Sequence, residues 1–241
     1  MIINMKVRIK FSKYGVMKFI GHLDLMRFFQ KAVRRAGIDI AYSGGFNPHQ
    51  IMSFASPLGV GIISNAEYLD IGLNEDVADI NEIKYRLSAQ MVEGIRIIAV
   101  AKLEENAANA MASVAVAGYT VIFSDKVVLP IDWTGQFEAF LQKETIIYTK
   151  RTKKVVREID LRPLIYEAEI YAKAEMCAEN RGIYLLINAG SAESIKPQFV
   201  IEAFFDYIGQ QLPEFALSIC REEIYTNAGT AEEPRFVALI G

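Results

Sequence analysis

Residues 6 to 12, Lys-Val-Arg-Ile-Lys-Phe-Ser, alternate polar and apolar side chains, which predicts a half-buried strand with a basic, solvated outer face. From about His22 to Ala36 the period lengthens. Leu25, Phe28, Phe29, Ala32, Val33 and Ala36 recur at three and four, the stripe of an amphipathic helix, and Gly37 stands where such a helix ends. Residues 38–42 read as a second strand, 43–48 as a turn-rich loop and 67–73 as another alternating strand, while 52–64 is apolar, Gly-containing and ambiguous. Ile80, Ile83, Leu87 and Met91 have helical spacing, and 95–102 is a β-branched strand.

The order β-α-β-β-α-β is the split βαβ of ferredoxin-like domains. An Ala-rich stretch at 104–117 is the expected junction, and the pattern then recurs more weakly. A strand is expected at 118–124, a helix at 137–143 and a hairpin from 145–148 and 155–159. Residues 183–188 follow as a strand, 197–208 as a helix with Pro197 at its start and 216–225 as a strand, with 160–173 read as an insertion. The expectation is an α+β protein of two tandem ferredoxin-like (βαββαβ) halves, 1–103 and 112–227, the second with an inserted basic hairpin. Residues 228–241 form a tail that is loose or adds an edge strand through 236–240.

Composition changes the picture in two places. Hydrophobic residues at 52% against 23% charged describe a folded globular chain of 241 residues, and no apolar run reaches the ~18 residues needed to span a bilayer. The first residues, MIINMKVRIKF, carry no secretory h-region, so the expected location is cytoplasmic, without membrane attachment. Cys177 and Cys220 stand far apart, a spacing that encodes neither a disulfide framework nor a zinc or iron–sulfur site. The net charge of -3 is unevenly spread: residues 1–50 hold nine Lys and Arg against Asp24 and Asp39, a surplus of seven. That polarity points to an anionic partner near the N-terminal third. A second basic cluster lies at 150–157.

The chemistry-bearing residues crowd into 17–61, which holds both histidines. On the helix, Arg27, Lys31, Arg34 and Arg35 leave the side opposite the apolar stripe and could track a phosphate backbone, or simply be a solvated face. Asp24 sits in the first turn, where a carboxylate suits the free N–H groups and the dipole. Tyr42 and Phe46 flank Gly44-Gly45 and could stack bases, or fill core beneath the loop. Asn47-Pro48 fixes an extended turn that aims His49, with Ser43 at the other side of the loop. His22 and His49 are the candidates for acid–base work, for phosphate contacts, or for a metal pair completed by Asp24 or Glu67. Two residues apart on a helix start, His22 and Asp24 do not face one metal, so no metal site is expected.

Gly21-His22-Leu23-Asp24, Arg34-Arg35-Ala36-Gly37 and Ala41-Tyr42-Ser43-Gly44-Gly45-Phe46-Asn47-Pro48-His49, with Pro57-Leu58, Gly61 and Glu67, resemble the radical-SAM-linked protein family. Asp160-Leu161-Arg162-Pro163 and Lys196-Pro197 also fit it. The resemblance implies a B12-type radical SAM enzyme as partner and a role in modifying RNA or the ribosome. It implies no catalytic residues in this chain. The Cys-x-x-x-Cys-x-x-Cys that would hold a [4Fe–4S] cluster is absent, so the cluster and SAM are expected on the partner and no cofactor here.

The expected function is therefore an accessory without catalysis of its own, which binds or presents an RNA or ribosomal substrate through the basic helix and the 42–49 loop. A metal-independent RNA-processing enzyme using His22 and His49, and a scaffold that only docks the radical SAM protein, are the alternatives.

Overall fold

The computed structural model describes residues 5–151, 156–171, 182–191 and 193–240. The chain is α+β, with mostly antiparallel strands and few helices, and it divides into two compact units. Unit 1 comprises Met1–Ala115 with Arg221–Gly241, and unit 2 comprises Val116–Cys220.

Unit 1 begins with β1 (Met5–Lys13), α1 (His22–Arg35), β2 (Met52–Phe54), β3 (Ile63–Leu73), α2 (Ile80–Ser88) and β4 (Ile95–Leu103). Strand β1 lies between β4 and β3, antiparallel to both, and β2 pairs antiparallel with β3 through Met52 and Ile71. The inward positions of β1, Val7, Ile9 and Phe11, pack against Leu25, Phe29, Ala32 and Val33 of α1 and against Ile83 and Leu87 of α2 in one buried cluster. Phe11 and Phe29 meet at 4.7 Å between ring centroids, and Phe29 meets Phe54 at 5.9 Å. Gly37 adopts φ +62 just past α1, the left-handed conformation that closes a helix and that a side chain resists.

Two expectations for unit 1 need correction. Residues 38–42 are not a strand, because they meet their neighbours only through isolated bridges, Ile40 to Leu73 and Tyr42 to Gln50. Ala41 N–H donates to the Gly72 carbonyl and the Ala41 carbonyl accepts from Ile51 N–H, which holds the segment across the end of β3 and leaves the ladder position to β2. The outer face of β1 is not solvated either. Arg8 is buried and bonds Asp70 through two nitrogens at 2.8 and 2.9 Å, and Lys10 reaches Glu223 at 2.5 Å. A polar strand face can be covered where each charge meets a counter-charge, and here β3 and the end of the chain supply them. That end is the 221–227 part of β10 (Leu217–Asn227), edged by the short β11 (Phe236–Ala238).

Unit 2 opens after a four-residue helix, α3 (Ala110–Ser113), which belongs to unit 1. Its elements are β5 (Val116–Phe123), α4 (Trp133–Leu141), β6 (Ile147–Arg151), β7 (Val156–Asp160), β8 (Ile165–Tyr171), β9 (Gly182–Asn188) and α5 (Pro197–Tyr207). Strands β5, β9 and β8 are neighbours in that order and antiparallel. Phe137, Phe140 and Phe204 form an aromatic cluster between α4 and α5. The hairpin β6–β7 is a two-stranded sheet of its own, with Lys150 directly opposite Arg157. Of residues 160–173, read above as an insertion, 172 and 173 lie outside the described residues, and Ile165–Tyr171 instead form β8, paired antiparallel with β9. Of the basic cluster at 150–157, Lys153 and Lys154 lie outside the described residues, as does Cys177.

Candidate nucleic-acid interface

Helix α1 presents its charges as the spacing requires. With Leu25, Phe29, Ala32 and Val33 turned to the core, Arg27, Lys31 and Arg34 are exposed on the far side. Asp24, in the uncapped first turn, meets Arg27 at 3.3 Å, and both are well exposed, so the pair neutralises little of the surface. Among the described residues Lys31 and Arg34 have no ion pair. Arg35 does not belong to this face. Its Nε donates to Gln90 Oε1 at 3.2 Å and its Nη2 to the Gln90 carbonyl at 3.3 Å, which ties α1 to the turn after α2.

The 42–49 loop is closed at its neck by three reciprocal bonds. Ser43 N–H donates to the His49 carbonyl at 2.8 Å, His49 N–H donates to Ser43 Oγ at 3.1 Å, and Ser43 Oγ lies 2.8 Å from His49 Nδ1. Just outside the neck, Tyr42 and Gln50 bridge, and Gln50 Nε2 reaches the Tyr42 hydroxyl and the Gln30 carbonyl, each at 3.4 Å. The loop base is thereby held against the middle of α1, on the side that carries Leu23, Arg27 and Arg34. Gly45 at φ +98 makes the turn at the tip. Phe46 beside it is fully exposed, with Asn47, Pro48 and His49 also at the surface. Core filling by Phe46 is thus excluded, whereas Tyr42 is partly covered.

The two histidines have separate partners. His22, the first residue of α1, is half-buried and sets its ring edge-on to Phe54, 5.2 Å between centroids. His49 stands on Ser43. Among the described residues no hydrogen bond joins them, and no three His, Cys, Asp or Glu side chains gather as a metal-ligand group.

Sequence reasoning missed a buried charge cluster in the same unit. Arg221 Nε and Nη2 both donate to Glu67 Oε1, at 3.0 and 2.5 Å, and Nη2 also donates to the Ser56 carbonyl at 2.9 Å. Lys13 is buried beside them, its ammonium 3.5 Å from the Ile20 carbonyl. Burial lowers its pKa, Glu67 opposes that shift, and Arg221 adds to it. On the opposite face of β3, Tyr68 donates to Glu223 at 2.6 Å, and burial followed by that bond holds its hydroxyl proton far above its usual range. The only sequence signal for this cluster was Glu67 standing in a strand next to a glycine-rich loop.

Fold and site together define an α+β protein on antiparallel sheets whose first unit sets an exposed cationic helix face beside a clamped, aromatic-tipped loop. Residues 6–197 match the profile of a family described as "Uncharacterized protein conserved in bacteria (DUF2344)", and the chain belongs to that family. No curated protein matches it. Among the described residues no helix is long and apolar enough to cross a membrane.

Proposed function

We propose that this protein is an accessory without catalysis of its own, which binds an RNA or ribosomal substrate and presents it to a radical SAM enzyme. The observation that carries the binding reading is the pairing of Arg27, Lys31 and Arg34, exposed on one side of α1, with a loop whose neck is bonded shut and whose tip holds Phe46 in solvent. Phosphates on the helix and an unpaired base on Phe46 are the two contacts that single-stranded RNA rewards. The radical SAM partner rests on the resemblance carried by the Gly21–Asp24 and Ala41–His49 motifs. The reading takes each unit as a ferredoxin-like module, a fold that often binds RNA. The neighbour order β4-β1-β3 with β2 beyond β3 supports this in unit 1, and β5-β9-β8 supports it in unit 2. Catalysis by His22 with His49 finds no support in their separate partners.

Ultraviolet crosslinking in living cells, followed by sequencing of the attached RNA, tests the reading. Wild-type protein is expected to recover a defined RNA that the Arg27→Glu, Lys31→Glu, Arg34→Glu variant loses by at least about tenfold. Equal recovery from both, or no RNA from either, contradicts it.

A further inference from the structure

A second surface of unit 1 fits a different kind of partner. Val16 is 75% exposed, Phe19 63%, Leu23 61% and Val60 63%, four large apolar side chains left in water on neighbouring segments. Local geometry brings them together. Val16 and Phe19 lie three apart in the 3-10 helix Gly15–Phe19, where residues at that spacing eclipse on one side. Leu23 follows in the first turn of α1. Gly61 N–H donates to the Lys18 carbonyl at 2.8 Å, which pins the loop carrying Val60 against the same turn. Two cations stand on the rim beside the helix. Lys18 sits with its ammonium 5.1 Å from the Phe19 ring centroid, and Arg27 lies one turn along α1 from Leu23. Between residues 13 and 37 the sole acidic side chain is Asp24, and it is already on Arg27.

An apolar patch with a charged rim is the signature of a protein-docking surface. RNA is a poorer occupant here, since only Phe19 of the four offers an aromatic face for a base and Lys18 already lies over its ring. A second copy of this chain is poor too. In a two-fold contact the patch would meet itself, and Lys18 and Arg27 would face their own equivalents. We propose that this surface docks an acidic amphipathic segment of another protein, its apolar face on Val16, Phe19, Leu23 and Val60 and its carboxylates on Lys18 and Arg27. The proposal shares Arg27 alone with the RNA reading; Val16, Phe19, Leu23, Val60 and Lys18 take no part in it, and the proposal survives if that reading fails.

A benzophenone photocrosslinking residue placed at Phe19 or Val60 tests it in the native cell, with Tyr85, exposed on α2, as the control position. The expected result is one protein crosslinked at least about tenfold above the control, through a segment that alternates apolar residues with Asp and Glu at helical spacing. A synthetic peptide of that segment should bind the purified full chain and lose about tenfold in affinity on Leu23→Ser, with unchanged affinity on Phe46→Ala and an unchanged melting temperature in both variants. Crosslinking no greater than at Tyr85, crosslinks to RNA or to a second copy, a segment without acidic residues, or indifference to Leu23→Ser would each overturn it.

Discussion

Phe46 adds nothing to the packing of its unit, and its removal should therefore separate binding from stability. Phe46→Ala is expected to leave unfolding free energy within about 0.5 kcal/mol, as for other surface changes, while weakening a single-stranded RNA on the order of tenfold. Anisotropy and urea titrations on one preparation check both halves. Lys13 is the opposite kind of residue, buried and short of partners. Its folded-state pKa lies below the ordinary 10.5, so between the two values the unfolded chain keeps a proton that the fold releases, and stability rises with pH across that window. Below the window the buried ammonium is a standing cost. Lys13→Met should accordingly unfold at higher urea than wild type near neutral pH, with the advantage shrinking as pH climbs toward 10.5; a constant difference would contradict the assignment. Neither Lys13 nor Arg8 was legible as buried. Alternation says which residues share a face of β1 but not what covers it, and Lys10 finds its carboxylate on Glu223, 213 positions away.

Between elements, the same distinction explains what periodicity could and could not reach. Helix α1 was readable nearly to its last residue, because Leu25, Phe29, Ala32 and Val33 bury one face and Gly37 ends it. Strand β2 was not. Met52–Phe54 is only three residues long, and its place in the sheet is set by pairing with Leu69–Ile71 rather than by its own pattern, while the better strand former at 38–42 is turned aside to carry the loop. The loop itself was legible as a turn from its Gly-Gly pair and flanking aromatics, but the Ser43–His49 neck was not, since a hydroxyl and an imidazole six apart meet only once the turn is made. The Glu67–Arg221 bridge joins β3 to β10 and is buried at both ends. Glu67→Ala should cost about 3–5 kcal/mol, because it strands the guanidinium of Arg221 and the ammonium of Lys13 without their carboxylate. Glu67→Met with Arg221→Met should recover the share of that loss that comes from Arg221, leaving the cost at Lys13, in a denaturation series. A double variant as unstable as the single would show that the bridge is not the source.

For the molecule as a whole, the surplus of seven positive charges in residues 1–50 overstates what a ligand can feel. Arg8, Lys10 and Lys13 spend their charge inside the fold, and Arg35 is occupied by Gln90, which leaves Arg27, Lys31 and Arg34 as the outward-facing cations of the helix. The RNA-binding claim thereby becomes quantitative. About three phosphate contacts on a single strand correspond to a slope of about -2 in log affinity against log salt, or roughly a 20-fold loss between about 50 and 200 mM. The measurement that tests the account most directly is that salt titration, run on the purified chain with a labelled single-stranded RNA beside the Arg27→Glu, Lys31→Glu, Arg34→Glu variant. A slope near -2 that collapses toward zero in the variant is the predicted result. A flat response in wild type, or a slope that survives the charge reversal, would contradict it and move the anionic partner away from α1.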